Sequence, residues 1–283
     1  MTTTTAAEPT VASLAEFRST SRAAFESFGA MLLRDMRVLR KQIVPFLMRT
    51  IMQPLLMVFV FAYVFPKIGQ GIGGSPESEA LFSTLLAPGL IAISCIFQGI
   101  QAVTLPVVME FGFSREIEDR VLAPMPVWAI GIEKIVSGAI QSAISAVLVL
   151  PFVLWIPSTP VHLDIDWPVV VTFTPLICLL SGAIGLFIGT RAEPRQVPLV
   201  FSIIVLPMTM LGAAYYPWAR LSSIAWLKWA VLANPLVFMS EGMRAGMTAI
   251  PHMGLWAVYG AVLGFGTVFA WLGIRGFRMR VLA

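Results

Sequence analysis

Charge is scarce in this sequence. Only 12% of its 283 residues are Asp, Glu, Lys or Arg, while 58% are hydrophobic. A soluble domain carries roughly 25% charged residues. So few charges cannot clothe a water-facing surface of ordinary polarity, and the mean hydropathy of +0.85 agrees. Lipid is the solvent this composition suits.

Other absences narrow the chemistry. Cys95 and Cys178 lie in apolar stretches, without metal-like spacing or a disulfide framework, so they read as packing residues. No Lys/Arg-rich run is interleaved with aromatics, which leaves nucleic acid without a docking surface. Lys never follows Gly in a G-K-[ST] step, so any ATP must be hydrolysed by another chain. There is no H-E-x-x-H, and His162 and His252 lack partners at ligand spacing, so no metal site is expected. An intramembrane prenyltransferase would need an aspartate-rich motif, and none is present. No cleavable signal peptide is visible, because the first long apolar run starts near Ile51.

What the sequence does have is apolar runs of spanning length, at ~20 residues each. Six are expected, over residues 44–65, 81–109, 130–156, 167–190, 197–214 and 254–274. The fold class is therefore an all-α polytopic membrane protein. Residues 1–13 are Thr/Ala-rich and read as disordered. Residues 14–43 read as an amphipathic interfacial helix. Phe25, Phe28, Leu32, Met36 and Leu39 recur at three- and four-residue steps, and Arg34, Arg37, Arg40 and Lys41 fall mainly elsewhere on the wheel. None of the spans carries an obvious buried ionisable group, which argues against proton coupling and for energy delivered from outside the membrane.

Topology follows from the 19 Lys and Arg residues. With the N-terminus inside and six crossings, only Lys67, Arg220, Lys228 and Arg244 fall outside, leaving 19 − 4 = 15 inside. That is a strong positive-inside bias with both termini cytoplasmic. Trp128 and Trp271 then sit at inner boundaries, and Trp155, Trp167 and Trp256 at outer ones, as an aromatic belt requires.

Two segments fit neither span nor plain loop. The first, EFGFSREIEDRVLAPMPVW from Glu110 to Trp128, joins the second and third spans on the inner side. Ser114 can cap a short helix, Glu116 and Glu118 suit its N-terminal turn, and Glu116 pairs with Arg120 at i,i+4. Pro124 and Pro126 end it, and Val121 and Leu122 are free for apolar docking. A charged helix held between two spans can press into a cytosolic partner, or it is a solvated loop helix with none. The second segment, residues 215–250, is apolar but broken by Pro217 and Pro235, and reads as short helices dipping into the outer side. Within it, Glu241 and Arg244 form either a local surface ion pair or part of an outer gate. Tyr215, Tyr216, Trp218, Trp226 and Trp229 read as interface anchors before ligand-stacking groups.

In order, these features resemble the permease subunits of ABC-2 type transporters, the family of daunorubicin-type drug exporters and of O-antigen and teichoic-acid exporters. The resemblance rests on RDMRVLRKQ before the first span, on SREIEDRVLAPMPVW after the second, and on YYPWARLSSIAWLKWAVLANPLVFMSEGMR before the last. It covers the chain from about residue 30 onward. The departure is Phe113-Ser114 and a lone Gly112, where many members are glycine-rich.

The resemblance implies a six-span half-permease in the cell membrane that exports an amphipathic drug, lipid or lipid-linked glycan. It implies a cytoplasmic coupling helix over residues 112–124, with Arg115, Glu116, Asp119, Arg120, Leu122 and Pro124 contacting an ABC ATPase subunit, two copies per transporter. Arg34, Arg37, Arg40 and Lys41 of the interfacial helix would share that contact. Tyr215, Tyr216, Trp218, Asn234, Glu241 and Arg244 would form an outer gate or touch the departing substrate. A second permease subunit is implied, an identical copy in preference to a different one. ATP and Mg would be bound by the ATPase and no cofactor by this chain. A membrane-embedded lipid- or prenyl-modifying enzyme, or a non-transporting scaffold, is the rival reading.

Overall fold

The computed structural model describes residues 20–68, 76–114 and 126–282, and among these there is no strand. Helix α1, Thr20–Lys41, carries Arg40 and Lys41 in its last turn, where cations complement the helix dipole. Its inward stripe contains Phe28, Met31 and Asp35, one face of a 3.6-residue repeat, with Phe28 and Met31 packed against the buried cluster that includes Ile130 and Ile135. Arg34, Arg37, Arg40 and Lys41 are exposed. The chain turns at Gln42 and enters α2, Ile43–Val58, which runs on through a π-turn at Phe59–Val64. This helix buries Phe46, Thr50, Pro54 and Val58 at four-residue steps and turns its other faces outward.

Helix α3, Pro76–Met109, continues through a π-turn at Glu110–Ser114. It is buried nearly all round, with Leu86, Leu90, Ile96 and Ile100 almost fully enclosed, as expected of a helix apolar on every face. Against it pack α4, Val127–Trp155, and α5, Trp167–Gly189. In lipid the hydrophobic effect does not drive helix association, so close approach and interhelical hydrogen bonds must. Both are present. A Cβ on Gly182 would stand 2.5 Å from the Ile135 carbonyl oxygen, so only glycine lets α4 and α5 meet there. Ser142 Oγ donates to the Cys95 carbonyl at 2.8 Å, and Thr104 Oγ1 to the Gly185 carbonyl at 3.0 Å.

Then come α6, Pro194–Met210; a 3-10 turn, Trp218–Ser223; α7, Ala225–Ala230; α8, Pro235–Met247; and α9, Leu255–Leu282. Among the described residues, five helices are long and apolar enough to cross a bilayer: Ile43–Val64, Ala80–Gly112, Val127–Trp155, Trp167–Gly189 and Leu255–Val281. The expected span over 197–214 is instead the shorter helix α6, ~25 Å long at ~1.5 Å per residue. The chain leaves it in a bend over residues 211–216. Yet residues 194–214 run beside most of α3. At one end a Cβ on Gly112 would meet Pro194, and at the other a Cβ on Gly89 would meet the Ala214 carbonyl. The stretch of α3 between those glycines rises roughly 34 Å.

The bundle thus has two distinct ends. At one, α1 meets α4, and Arg280 Nη1 reaches the Gly189 and Ala192 carbonyls at 3.4 and 3.3 Å. At the other, Ser158 N donates to the Ala62 carbonyl at 3.0 Å, and Asp164 N to that of Met247 at 3.0 Å. Arg191, Arg195, Arg278 and Arg280 join the α1 cations at the first, basic end.

Candidate functional site

The connection that the sequence marks for coupling is shorter than expected at both ends. Glu110–Ser114 is helical and prolongs α3, and α4 already begins at Val127. Ser114 is the last residue of that π-turn. Arg115, Glu116, Asp119, Arg120, Leu122 and Pro124 lie outside the described residues.

At the base of that connection stands a buried charge cluster. Lys134 Nζ lies 2.7 Å from Glu110 Oε1 and 3.4 Å from Asp35 Oδ2, with Ser137 Oγ 3.4 Å from the same Asp35 oxygen. Lys134 is 3% exposed and Glu110 6%. One ammonium between two carboxylates thus ties α1, the end of α3 and the start of α4 together. Breaking such a pair strands a charge in a low-dielectric setting, so the three helices are held in one arrangement. This corrects the expectation that no span holds a buried ionisable group: Glu133 and Lys134, both inside the expected third span, are buried. The error came from treating residues near a span end as interfacial, when α1 lies over them and shuts out water. A signal was present, since Asp35 is the only acid between residues 30 and 50 and Lys134 interrupts an apolar run.

At the other end, the outer segment is organised around Glu241 and Arg244 of α8. They form an ion pair with exposures of 1% and 0%, so the pair is buried rather than on the surface. Glu241 Oε1 also accepts from Trp218 N and Oε2 from Met253 N, each at 2.8 Å. Arg244 Nη2 donates to the Ala213 carbonyl at 3.0 Å. Ala213 has φ of 52°, a left-handed conformation that breaks the chain out of helix after α6.

The carbonyls freed by that break find partners on α8 and at its N-terminus. Asn234 Nδ2 takes Met208 at 2.7 Å, Ser240 Oγ takes Gly212 at 2.7 Å, and Arg244 takes Ala213. Asn234 also caps α8, its Oδ1 accepting from Leu236 N at 3.0 Å. Backbone that departs from helix at membrane depth survives only when such groups are satisfied by protein.

The aromatic residues divide. Tyr215 packs on Phe61, ring centroids 5.8 Å apart, and Tyr216 and Trp218 pack on the small core of Ala213, Val231 and Val237. Burial raises the pKa of both tyrosine phenols. Trp218 Nε1 donates to the Lys228 carbonyl at 2.9 Å, and the Lys228 ammonium sits 4.5 Å over the Trp218 ring. Trp226 and Trp229 point outward, 73% and 67% exposed.

The ABC-2 type transporter family model matches residues 26–248 of this chain. The inner membrane transport permease YadH of Escherichia coli K12 is 26% identical over 227 residues, a stretch that is 78% of this chain and 84% of that protein. The YadH permeases of Escherichia coli O157:H7 and Shigella flexneri give the same figures. The matched stretch takes in both the Asp35–Lys134–Glu110 cluster and the Glu241–Arg244 clamp. On that extent of similarity the chain belongs to the ABC-2 type transporter family, as a multi-pass permease of the inner membrane.

Proposed function

We propose that this chain is the membrane half-subunit of an ATP-driven exporter that moves an amphipathic drug, lipid or lipid-linked glycan out of the cytoplasm or inner leaflet. It works as a pair, an identical copy in preference to a different one, with two copies of a separate ATPase chain that bind ATP and Mg. The basic end faces the cytoplasm together with both termini, in keeping with the positive-inside rule. Segment 194–214 supplies the sixth crossing. Its ~34 Å course beside α3 compares with a hydrocarbon core of ~30 Å. The short helices of residues 215–250 dip back into the outer leaflet, and Tyr215, Tyr216, Trp218 and Asn234 work as an outer gate braced by the Glu241–Arg244 clamp.

The observation that supports coupling best is the buried Asp35–Lys134–Glu110 cluster. It joins the interfacial helix to both helices that flank residues 115–125, so a push on that segment is passed to α1, α3 and α4 together. Arg115, Glu116, Asp119, Arg120, Leu122 and Pro124 take the contact with the ATPase, beside Arg34, Arg37, Arg40 and Lys41.

Co-expression with an ATPase chain encoded beside it tests the assignment. A stable complex of both chains with ATPase activity is expected, and a permease that recruits no ATPase removes it. Within the complex, Glu116→Ala combined with Arg120→Ala separates ATP hydrolysis from export while membrane insertion persists. Undiminished export in that double variant removes the coupling role.

A further inference from the structure

A cavity of about 1000 Å³ opens at the end of the bundle opposite the basic end. That is the top of the ~300–1,000 Å³ range in which small-molecule sites fall. Four separate pieces of chain wall it: the start of α3, the α4–α5 loop, the 3-10 turn after Pro217, and the α8–α9 loop. Leu85, Leu163 and Ile250 give it an apolar floor, and Leu81, Asp164 and Arg220 stand exposed at its rim with His162.

Its walls are fixed before any ligand arrives. His162 N donates to Thr84 Oγ1 at 3.1 Å, which locks the α4–α5 loop onto α3. Asp164 N is held by the Met247 carbonyl at 3.0 Å. Glu241 holds the remaining two walls at once, through Trp218 N and Met253 N. A cavity whose shape is set by hydrogen bonds on every side loses little freedom when filled.

The rim offers charge of both signs. Neither the Arg220 guanidinium nor the Asp164 carboxylate is paired with a described residue, although both line the same opening. A ligand carrying only an anion would leave Asp164 opposing it, and one carrying only a cation would face Arg220. Trp155, Trp167, Trp226 and Trp256 are all strongly exposed at this end of the bundle, and tryptophan rings of that kind mark headgroup depth.

We propose that this cavity binds a zwitterionic glycerophospholipid of the facing leaflet, its phosphate on Arg220, its ammonium on Asp164, and its upper acyl chain on the leucine floor. The choice of the outer leaflet rests on the orientation given under Proposed function, but the charge complementarity does not.

The test uses the full-length protein in lipid nanodiscs and a photoreactive lysophosphatidylethanolamine, with cross-linked peptides located by mass spectrometry. Label is expected in residues 80–85, 162–164, 219–222 and 249–251, and Leu85→Trp, which fills the floor, is expected to reduce it at least fivefold. Competition by phosphatidylethanolamine is expected to exceed that by phosphatidylglycerol about tenfold. Asp164→Asn erases that preference, while Arg220→Gln weakens competition by both lipids. Ala249→Trp, at the exposed rim, gives a second block should Leu85→Trp fail to fold. Label elsewhere, label indifferent to both tryptophan variants, or equal competition by the two lipids in the unaltered protein overturns the proposal. A failed orientation is separately visible: in sealed vesicles of known sidedness the same peptides would be labelled from the opposite face.

Discussion

Lys134 Nζ meets Glu110 Oε1 at 2.7 Å and so closes the base of the 115–125 segment, fastening the start of α4 to the end of α3. The end of α3 and the start of α4 cannot part without breaking that pair, and Asp35, on the same ammonium, adds α1.

Lys134→Ala leaves two carboxylates in a buried site, and loss of one partner from such a cluster costs ~3–5 kcal/mol. Thermal unfolding of the detergent-purified protein is expected to register that loss. Lys134→Met with Glu110→Gln recovers part of it, because one of the two stranded charges goes too. An unaltered melting temperature in Lys134→Ala would show that the cluster holds nothing.

The clamp at the far end predicts strong coupling in a double-mutant cycle. Arg244→Ala orphans a carboxylate that is 1% exposed, again at ~3–5 kcal/mol. The loss in Glu241→Ala with Arg244→Ala is expected to fall short of the sum of the two single losses, and strictly additive losses would deny the pair. Hydrogen exchange gives a second readout, since Trp218 N and Met253 N lose their acceptor in Glu241→Ala and are expected to exchange faster.

Two glycines of similar sequence context are expected to respond in opposite directions. A Cβ on Gly89 would stand 2.1 Å from the Ala214 oxygen, so Gly89→Val forces the bend away from α3 and destabilises the protein. Gly260 in α9 has nothing within 4 Å. Gly260→Ala there gains ~0.5–1 kcal/mol from helix propensity. Melting temperatures that move together would contradict the close packing of the bend on α3.

Trp226 and Trp229 are placed to report on lipid. Replacing both by Ala is expected to lower quenching of the protein's fluorescence by lipids brominated near the headgroup. Stability is expected to shift by no more than ~0.5 kcal/mol, as for surface substitutions away from structural features. Equal quenching in the double variant would remove their role as anchors.

Much of the bundle was legible in the sequence, because a span announces itself by length and apolar composition. The first, second, fourth and last helices fall where the apolar runs place them, and α9 merely continues further, to Leu282. The fifth apolar run, 197–214, is helical only as far as Met210, because composition does not reveal where a helix stops. Its end is set by Ala213, whose left-handed φ is paid for by Asn234, Ser240 and Arg244 more than twenty residues away. Glu241 and Arg244 were visible as a pair three residues apart. Their burial was not, because it depends on Trp218 and Met253 arriving from two other segments. Asp35 and Lys134 stand out in the sequence, but their pairing with Glu110 was hidden for the same reason, since it exists only where three helices meet.

The way α8 supplies the bonds that α6 lacks bears on how the protein is made. When ribosomal synthesis has delivered residue 214, the carbonyls of Met208, Gly212 and Ala213 have no acceptor-matched donors, for those lie on residues 234–244. Insertion of this part of the chain is therefore unfinished until α8 emerges. A truncation before Asn234 removes every one of those donors, whereas one after Met247 keeps them all.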